Sequence, residues 1–146
     1  MDTKTISEGE FAGWHTWPGE PFEHDTAGPF YMRQDTDGDM VAAFRAERKH
    51  MNAGGVVHGG ALMTFADFAL FALAHSGDDD GYGVTVAFTS EFLAGALEGE
   101  LDEARGEVMG GGKSITFVRG VITSDGRPVL NFSGTIKKRH KKVDSK

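Results

Sequence analysis

Cysteine and long apolar runs are both missing from this sequence, and each absence excludes a class of protein. Without cysteine the chain forms no disulfide framework, offers no thiol nucleophile and supplies no thiolate ligand to a metal. Any covalent chemistry must therefore come from oxygen or nitrogen groups. No stretch approaches the roughly 18–20 consecutive apolar residues that cross a bilayer, and the N terminus lacks the charged and then apolar layout of a signal peptide. We therefore expect a cytoplasmic protein.

Several common catalytic motifs are also missing. The sequence contains no Gly-x-Ser-x-Gly nucleophile elbow, no dinucleotide-binding fingerprint after a strand and no His-Glu-x-x-His zinc helix. No second histidine or carboxylate lies at a ligand spacing from His58, so the sequence predicts no metal site.

Basic residues are scarce in the body of the chain and concentrated near its C terminus. Five of the 15 lie within residues 137–142, which leaves 10 basic against 22 acidic residues and a net charge near −12 for the rest. A surface of that charge repels nucleic acid. The basic run is either a solvated tail or a contact for a compact polyanion, such as a nucleotide with several phosphates.

The length and composition predict one domain. A chain of 146 residues with 39% hydrophobic content and 11 phenylalanines can bury one good core. Residues 1–38 are rich in glycine, proline and acids with scattered aromatics, and are predicted to form an irregular lead-in. The domain itself is predicted over residues 39–139, followed by a basic tail over residues 140–146.

The apolar pattern predicts one long helix enclosed by a sheet. Residues 58–77 are good helix formers that follow a loop and end at Gly77, a natural C cap, and they are apolar nearly all the way round. Strands are predicted before and after this helix, over residues 39–48, 83–93, 98–109, 114–123 and 129–138. Because no crossover helices connect the later strands, we expect an α+β fold with an antiparallel sheet of about five to six strands.

Asp67 is the most informative single residue. Its helical neighbours at i−4, i−3, i+3 and i+4 are Met63, Thr64, Leu70 and Phe71, none of which is a cation. An unpaired carboxylate in an apolar environment is costly, and is typically kept for base catalysis, nucleophilic attack or a hydrogen bond from another chain. The alternative is that Asp67 simply lies on a narrow solvent-exposed face of the helix.

The start of the helix offers a second candidate group. The amides of a first helical turn have no partners inside the helix, so the glycines of His58-Gly59-Gly60 let an acyl or phosphate oxygen approach the backbone, as in an oxyanion hole. The alternative is a helix start chosen for its turn. Gly59 and Asp67 lie roughly 12 Å apart along the helix and on opposite sides of it. If both act on one carbonyl, the site must lie between two subunits.

Three further polar positions carry weaker signals. Asn52 either donates to a carbonyl oxygen from its loop or serves only to make a turn. Thr85 has the opposite parity to Val84, Val86 and Phe88, so it faces a polar site or solvent. The glycine run that ends in Lys113 and Ser114 either holds a phosphate or is an ordinary turn between strands.

Taken in order, these residues resemble one family. Asn52, five residues, His58-Gly59-Gly60, six residues, Asp67, seventeen residues, Thr85 and a glycine-rich loop ending in Lys113 form an ordered set. This set resembles the hotdog-fold thioesterases, most closely the branch of the phenylacetate-pathway (PaaI-type) enzymes and mammalian acyl-CoA thioesterase 13. The resemblance covers roughly residues 39–139, and residues 1–36 lie outside it.

The resemblance implies a fold, an assembly and an activity. It implies a helix wrapped by an antiparallel sheet, homodimers joined edge to edge that commonly pair into homotetramers, and acyl-CoA hydrolysis without cofactor or metal. Asp67 would act as general base or nucleophile, and Asn52 and the Gly59 amide would polarise the carbonyl. His58 would support that loop, while Thr85 would position the water or the aspartate. The implied CoA-binding residues are Gly60, Phe92, Gly110, Gly111, Gly112, Lys113, Ser114, Ile115 and Arg139.

Two other functions remain open at this point. A non-catalytic acyl-CoA sensor would keep the pocket without the reaction, although Asp67, Asn52 and Thr85 together argue against it. A hotdog hydratase or dehydratase would pair its aspartate with a histidine on the helix, where Asp67 stands alone. Aromatic, medium-chain and hydroxylated acyl groups all fit a pocket rich in alanine and phenylalanine.

Overall fold

The computed structural model of the protein describes residues 2–75 and 82–139, which form one sheet around one α-helix. The helix is α1 (Gly59–Ala74), and the short Pro21–Ala27 and Arg48–His50 segments form a π-helix and a 3-10 turn. The strands are β1 (Lys4–Thr5), β2 (His15–Thr16), β3 (Tyr31–Gln34), β4 (Met40–Arg45), β5 (Tyr82–Phe92), β6 (Leu101–Gly111), β7 (Ile115–Ser124) and β8 (Arg127–Arg139).

The sheet is antiparallel throughout, in the order β1-β2-β3-β4-β6-β7-β8-β5. The predicted α+β class with one central helix is confirmed. The predicted count of five to six strands is wrong, because residues 2–75 and 82–139 form a sheet of eight. Strands β1, β2 and β3 come from residues predicted to be irregular. They are two to four residues long, too short to give a readable alternation, and exist because they pair with neighbours.

Helix α1 is buried on most of its faces, as its apolar sequence predicts. Its buried residues are Leu62, Phe65, Ala66, Phe68, Ala69, Leu70 and Ala72. The sheet comes very close to it at Gly134, where a Cβ atom would lie 2.5 Å from Leu70 Cδ1. A side chain at residue 134 would force either the Leu70 side chain or the strand to shift. The helix ends at Ala74, and the predicted C cap, Gly77, lies outside the described residues, as does the basic tail from residue 140.

The N-terminal arm, residues 2–30, is fixed to the core at several points. Trp17 is buried and its ring lies 5.2 Å from that of Phe68 on α1. Phe30 is buried against Phe44 and Phe65. Between these two aromatics the chain runs as the π-helix across α1. The arm therefore covers part of the helix that the sheet leaves open.

Strand β5 lies at one edge of the sheet and contains a β-bulge. The register shifts between Thr85 and Ala87, so Val86 is the extra residue. Thr85 lies opposite the buried Ile136, and Phe88 lies opposite Gly134. The bulge therefore puts Thr85 and Phe88 on the same, helix-facing side, whereas simple alternation predicted opposite sides. Over the described residues, no helix is long and apolar enough to cross a membrane.

Candidate functional site

Asp67 lies in the middle of α1, half-buried, and is bonded to the edge strand. Its Oδ1 accepts a hydrogen bond from Thr85 Oγ1 at 2.5 Å. Burial raises the pKa of the Asp67 carboxyl above its ordinary value, and the Thr85 hydrogen bond opposes that rise. The bulge in β5 turns Thr85 toward the helix and so makes this bond possible. A half-buried carboxylate held in one orientation is suited to accepting a proton or attacking a carbonyl carbon.

A cavity of about 400 Å³ opens beside Asp67. It lies between α1, the N-terminal arm and the ends of three strands, β5, β7 and β8. Its lining combines aromatic and apolar walls with several charged groups. The lining residues are Trp17, Glu20, Glu23, Asp67, Phe71, Ala74, His75, Gly83, Val84, Thr85, Thr116, Ile136 and Lys138.

Glu23, which sequence reasoning did not single out, lies in this cavity. It comes from the π-helix of the N-terminal arm and is half-buried. Burial, together with the nearby charges of Glu20 and Asp67, raises the pKa of the Glu23 carboxyl to about 8. No sequence pattern distinguishes it, because Glu23 is one of several acids in an aperiodic segment, and only the folded arm brings it to the cavity that Asp67 lines.

The loop before α1 is held in shape by hydrogen bonds from its own polar side chains. Asn52 Oδ1 accepts hydrogen bonds from the amides of Gly54 at 2.9 Å and Val56 at 3.2 Å. His58 caps the helix, with its Nδ1 accepting the amide of Gly60 at 2.8 Å. Both polar side chains therefore shape the loop itself. In Asn52 the oxygen is engaged in this way, which leaves the NH₂ group as the part of the side chain that would donate to a ligand.

Phe92, at the end of β5, packs directly on the start of the helix. A Cβ atom at Gly59 would lie 3.1 Å from the Phe92 ring. Residue 59 therefore needs to be glycine or the ring must move. Phe92 itself is 57% exposed. An exposed aromatic ring over helix-start amides offers a surface for a flat or extended ligand segment.

The predicted site residues thus fall into two groups. Among the residues that the structure describes, the cavity beside Asp67 is lined by none of Asn52, His58, Gly59 and Gly60. The two groups lie along one helix, roughly 12 Å apart on its axis. Thr85, near the Tyr82 end of β5, bonds to Asp67, whereas Phe92 at the other end of β5 packs on Gly59.

The remaining predicted CoA contacts lie at the Asp67 end. Gly110 and Gly111 end β6 beside a bulge, and the turn over residues 112–114 leads into Ile115 of β7. The Lys138 amide donates to Ser114 O at 2.8 Å, which joins this turn to the last residues of β8. Lys113 is exposed, and Lys137, Lys138 and Arg139 run alongside the same turn. We name Lys113, Lys137, Lys138 and Arg139 the basic corner. Lys138 also lines the Asp67 cavity.

Comparison with known proteins identifies the family. The family model described as Thioesterase superfamily matches residues 54–130. A Pseudomonas aeruginosa protein named "Putative esterase PA0474" is 37% identical over 111 residues, which make up 75% of this chain and 83% of that protein. The matched family segment contains His58, Asp67 and Thr85.

Solved structures share the fold. A hypothetical thioesterase of Streptococcus pneumoniae, solved with coenzyme A, superposes with a TM-score of 0.70 at 22% identity, over 84% of this chain and 95% of that one. The Escherichia coli PaaI protein of the phenylacetic acid degradation operon gives a TM-score of 0.66 at 22% identity, over 79% and 86%. The chain therefore belongs to the thioesterase superfamily and has the hotdog fold.

Proposed function

We propose that this protein is an acyl-CoA thioesterase, which hydrolyses an acyl-CoA thioester to the free acid and CoA. One observation carries the proposal: a half-buried carboxylate, Asp67, is oriented by Thr85 at the wall of a cavity that also contains the basic corner's Lys138. The family match points the same way, and a protein of this fold was solved with coenzyme A.

Asp67 would carry the chemical step. As a general base it would take a proton from a water molecule that attacks the thioester carbonyl carbon. As a nucleophile it would attack that carbon itself and form an anhydride that water then cleaves. Either role needs an ionised carboxylate, which the Thr85 hydroxyl stabilises by donating to Oδ1. Water and one carboxylate suffice for the reaction, so the proposal includes no cofactor and no metal.

The helix start would stabilise the carbonyl oxygen. As charge develops on that oxygen, the Gly59 amide at the positive end of the helix dipole would donate to it, joined by the Asn52 NH₂ group. His58 would act indirectly, because its ring accepts the Gly60 amide and so fixes the first turn. This arrangement would polarise the thioester before water attacks.

The two groups would meet across a homodimer. Strand β5 has 11 residues and, within the part of the chain that the structure describes, pairs on one side only. Long open edges of this kind favour pairing with another chain. If two β5 strands pair antiparallel about a two-fold axis, the Phe92 end of one lies beside the Tyr82 end of its partner. The helix start of one chain then faces the Asp67 cavity of the other.

Further assembly into a homotetramer would use the outer face of the sheet. Phe117 and Val121 alternate along β7 with the buried Val118 and Ile122 and so point away from the helix, with Phe117 48% exposed. Pairing of two dimers would cover these side chains. The basic corner lies at the end of the sheet, where it would bind the phosphates of CoA.

The test is a thiol-release assay against a panel of aliphatic, aromatic and hydroxylated acyl-CoAs. Wild type is compared with Asp67→Asn and with Asp37→Asn, a matched change at an exposed carboxylate outside the cavity lining. We expect wild type and Asp37→Asn to cleave at least one thioester, and Asp67→Asn to lose about 100-fold or more in kcat while keeping its thermal unfolding temperature. Binding of acyl-CoA without cleavage by wild type would instead support an acyl-CoA sensor.

A further inference from the structure

The N-terminal arm places a second carboxyl group in the cavity that Asp67 lines. Glu23 and Asp67 both line the 400 Å³ cavity. They also line a neighbouring cleft between α1 and the arm, together with Met63, Thr64, Glu20 and Phe22. Glu23 and Asp67 therefore share two adjoining pockets, although they are 44 positions apart in the sequence.

The arm holds Glu23 there by contacts on both sides of it. Before it, Trp17 is buried against Phe68 of α1. After it, the Ala27 carbonyl accepts a hydrogen bond from His50 Nε2 at 2.7 Å, and the Gly28 carbonyl accepts one from Lys49 Nζ. The backbone that carries Glu23 is thus fixed to the helix and to the loop before it. Its carboxyl group has a defined place over α1.

The surroundings of the two carboxyl groups differ. Asp67 receives the Thr85 hydroxyl, which favours its ionised form. Within residues 2–75 and 82–139, no hydrogen bond to another residue stabilises an ionised Glu23 carboxylate. Burial and the charges of Glu20 and Asp67 raise the pKa of Glu23 to about 8. The other charged or titratable groups that line the cavity are His75 at the end of α1 and Lys138 of β8.

We propose that Glu23 is the acid partner of Asp67: it carries a proton at neutral pH while Asp67 is ionised, and gives that proton to the sulfur of the departing thiol. Two carboxyl groups whose environments separate their proton affinities are the usual arrangement for paired acid and base roles. This assignment rests on the proposed thioesterase function in its general-base form.

The protons and electrons balance over one turnover. Asp67 takes a proton from water as the water oxygen bonds to the carbonyl carbon and the carbonyl π pair moves to oxygen. That pair then re-forms the C=O bond, the C–S bond breaks with its electron pair on sulfur, and sulfur takes the Glu23 proton. Asp67 is now protonated and Glu23 ionised. Transfer of one proton from Asp67 to Glu23, directly or through water, restores both groups.

A leaving-group comparison tests this role. The acyl group that wild type cleaves fastest is presented as the CoA thioester and as the 4-nitrothiophenyl ester, whose aryl thiolate leaves readily without a proton. We expect Glu23→Gln to lower kcat about 10- to 100-fold for the CoA thioester and less than about 3-fold for the aryl thioester. Asp25→Asn is the matched control, an exposed carboxylate on the same π-helix that lines neither cavity.

The pH dependence of wild type gives a second readout that needs no variant. For the CoA thioester, kcat should fall as pH rises through about 8, where Glu23 loses its proton; for the aryl thioester it should not fall there. If Glu23→Gln loses kcat equally on both esters, or on neither, the acid role of Glu23 is overturned and the thioesterase proposal is unaffected. A wild type that cleaves neither ester would overturn the thioesterase proposal and this role with it.

Discussion

Thr85 Oγ1 lies 2.5 Å from Asp67 Oδ1, and the hydrogen bond between them joins the edge strand β5 to the central helix. The bond depends on the bulge at Val86, which turns Thr85 toward the helix. A hydroxyl donor stabilises the ionised carboxylate and therefore lowers its pKa, against the effect of burial. The position and ionisation of Asp67 are thus set from a different element of the fold.

Replacing Thr85 by valine should shift the acid limb of the pH–rate profile. Thr85→Val keeps the shape of the side chain but removes the donor, so the pKa of Asp67 rises and a higher pH is needed to ionise it. We expect kcat at pH 7 to fall about 10-fold, with part of the loss recovered at higher pH. Thr85→Ser keeps the hydroxyl and should retain the wild-type profile. An acid limb unchanged in Thr85→Val would contradict this role.

Two inactive variants should restore each other if the active site is shared. In a mixed dimer of Asp67→Asn and Asn52→Ala chains, one site carries both changes and the other carries neither. Random reassembly at equal concentrations gives half mixed dimers, so about one quarter of wild-type activity should return. The measurement is thiol release before and after the two variants are unfolded together and refolded. Each variant refolded alone is the control, and a mixture no more active than these controls would place both groups in one chain.

The basic corner should matter only for substrates with nucleotide phosphates. Lys113→Gln removes an exposed cation beside the predicted phosphate position. We expect KM for acyl-CoA to rise about 3- to 10-fold with little change in kcat, since a charge-assisted contact is worth about 1 kcal/mol. For the same acyl group on pantetheine, which lacks the nucleotide, KM should not change. A rise on both substrates would assign Lys113 to the acyl or pantetheine part instead.

Asp102 should make the protein less stable as pH rises. It is fully buried on β6, and neither of its carboxylate oxygens has a hydrogen-bond partner among the described residues. Burial, with the charges of Glu100 and Asp125, raises its pKa from 3.8 to about 7, and the nearby Ser124 hydroxyl and Arg127 only partly oppose that rise. The Ser124 hydroxyl itself donates to Glu100. The folded state therefore binds a proton that the unfolded state releases, so the contribution of Asp102 to stability is greatest below about pH 4 and is lost as pH rises through about 7.

The matching variant is Asp102→Asn, which resembles the protonated acid at every pH. We expect its free energy of unfolding to exceed that of wild type by about 1–3 kcal/mol at pH 8 and by much less at pH 5. Asp67 and Glu23 also have raised pKa values, but they are common to both proteins and cancel in the difference. Urea unfolding of both proteins at one protein concentration measures this difference in the free energy of unfolding. A difference that is the same at both pH values would mean that Asp102 does not titrate in this range.

The sequence was sufficient to predict the helix and its aspartate, because both produce strong local signals. Helix α1 has a continuous run of good helix formers, and a carboxylate among apolar neighbours stands out at Asp67. The two strands of the β7–β8 hairpin were also predicted. Its turn contains Asp125 and Gly126, which both have positive φ, a conformation that an Asp-Gly pair favours. In these cases neighbours in the sequence decide the local structure.

The features that the sequence did not predict are decided by distant parts of the chain. Strands β1 and β2 are two residues each and exist only because the sheet offers them partners. Thr85 and Phe88 share a face because β5 has an extra residue relative to β8, which no pattern within β5 reveals. Glu23 meets Asp67 only because buried aromatics fix the arm across the helix.

The two edges of the sheet differ greatly in length, and that difference limits how far the proposed association can extend. Strand β5 offers 11 residues to a partner, whereas β1 at the opposite edge offers two exposed residues. Pairing of β5 with β5 uses up the long edge on both chains at once. The composite sheet then ends on both sides in strands too short to recruit another molecule, so edge-to-edge growth stops at a closed pair and does not continue into a fibre.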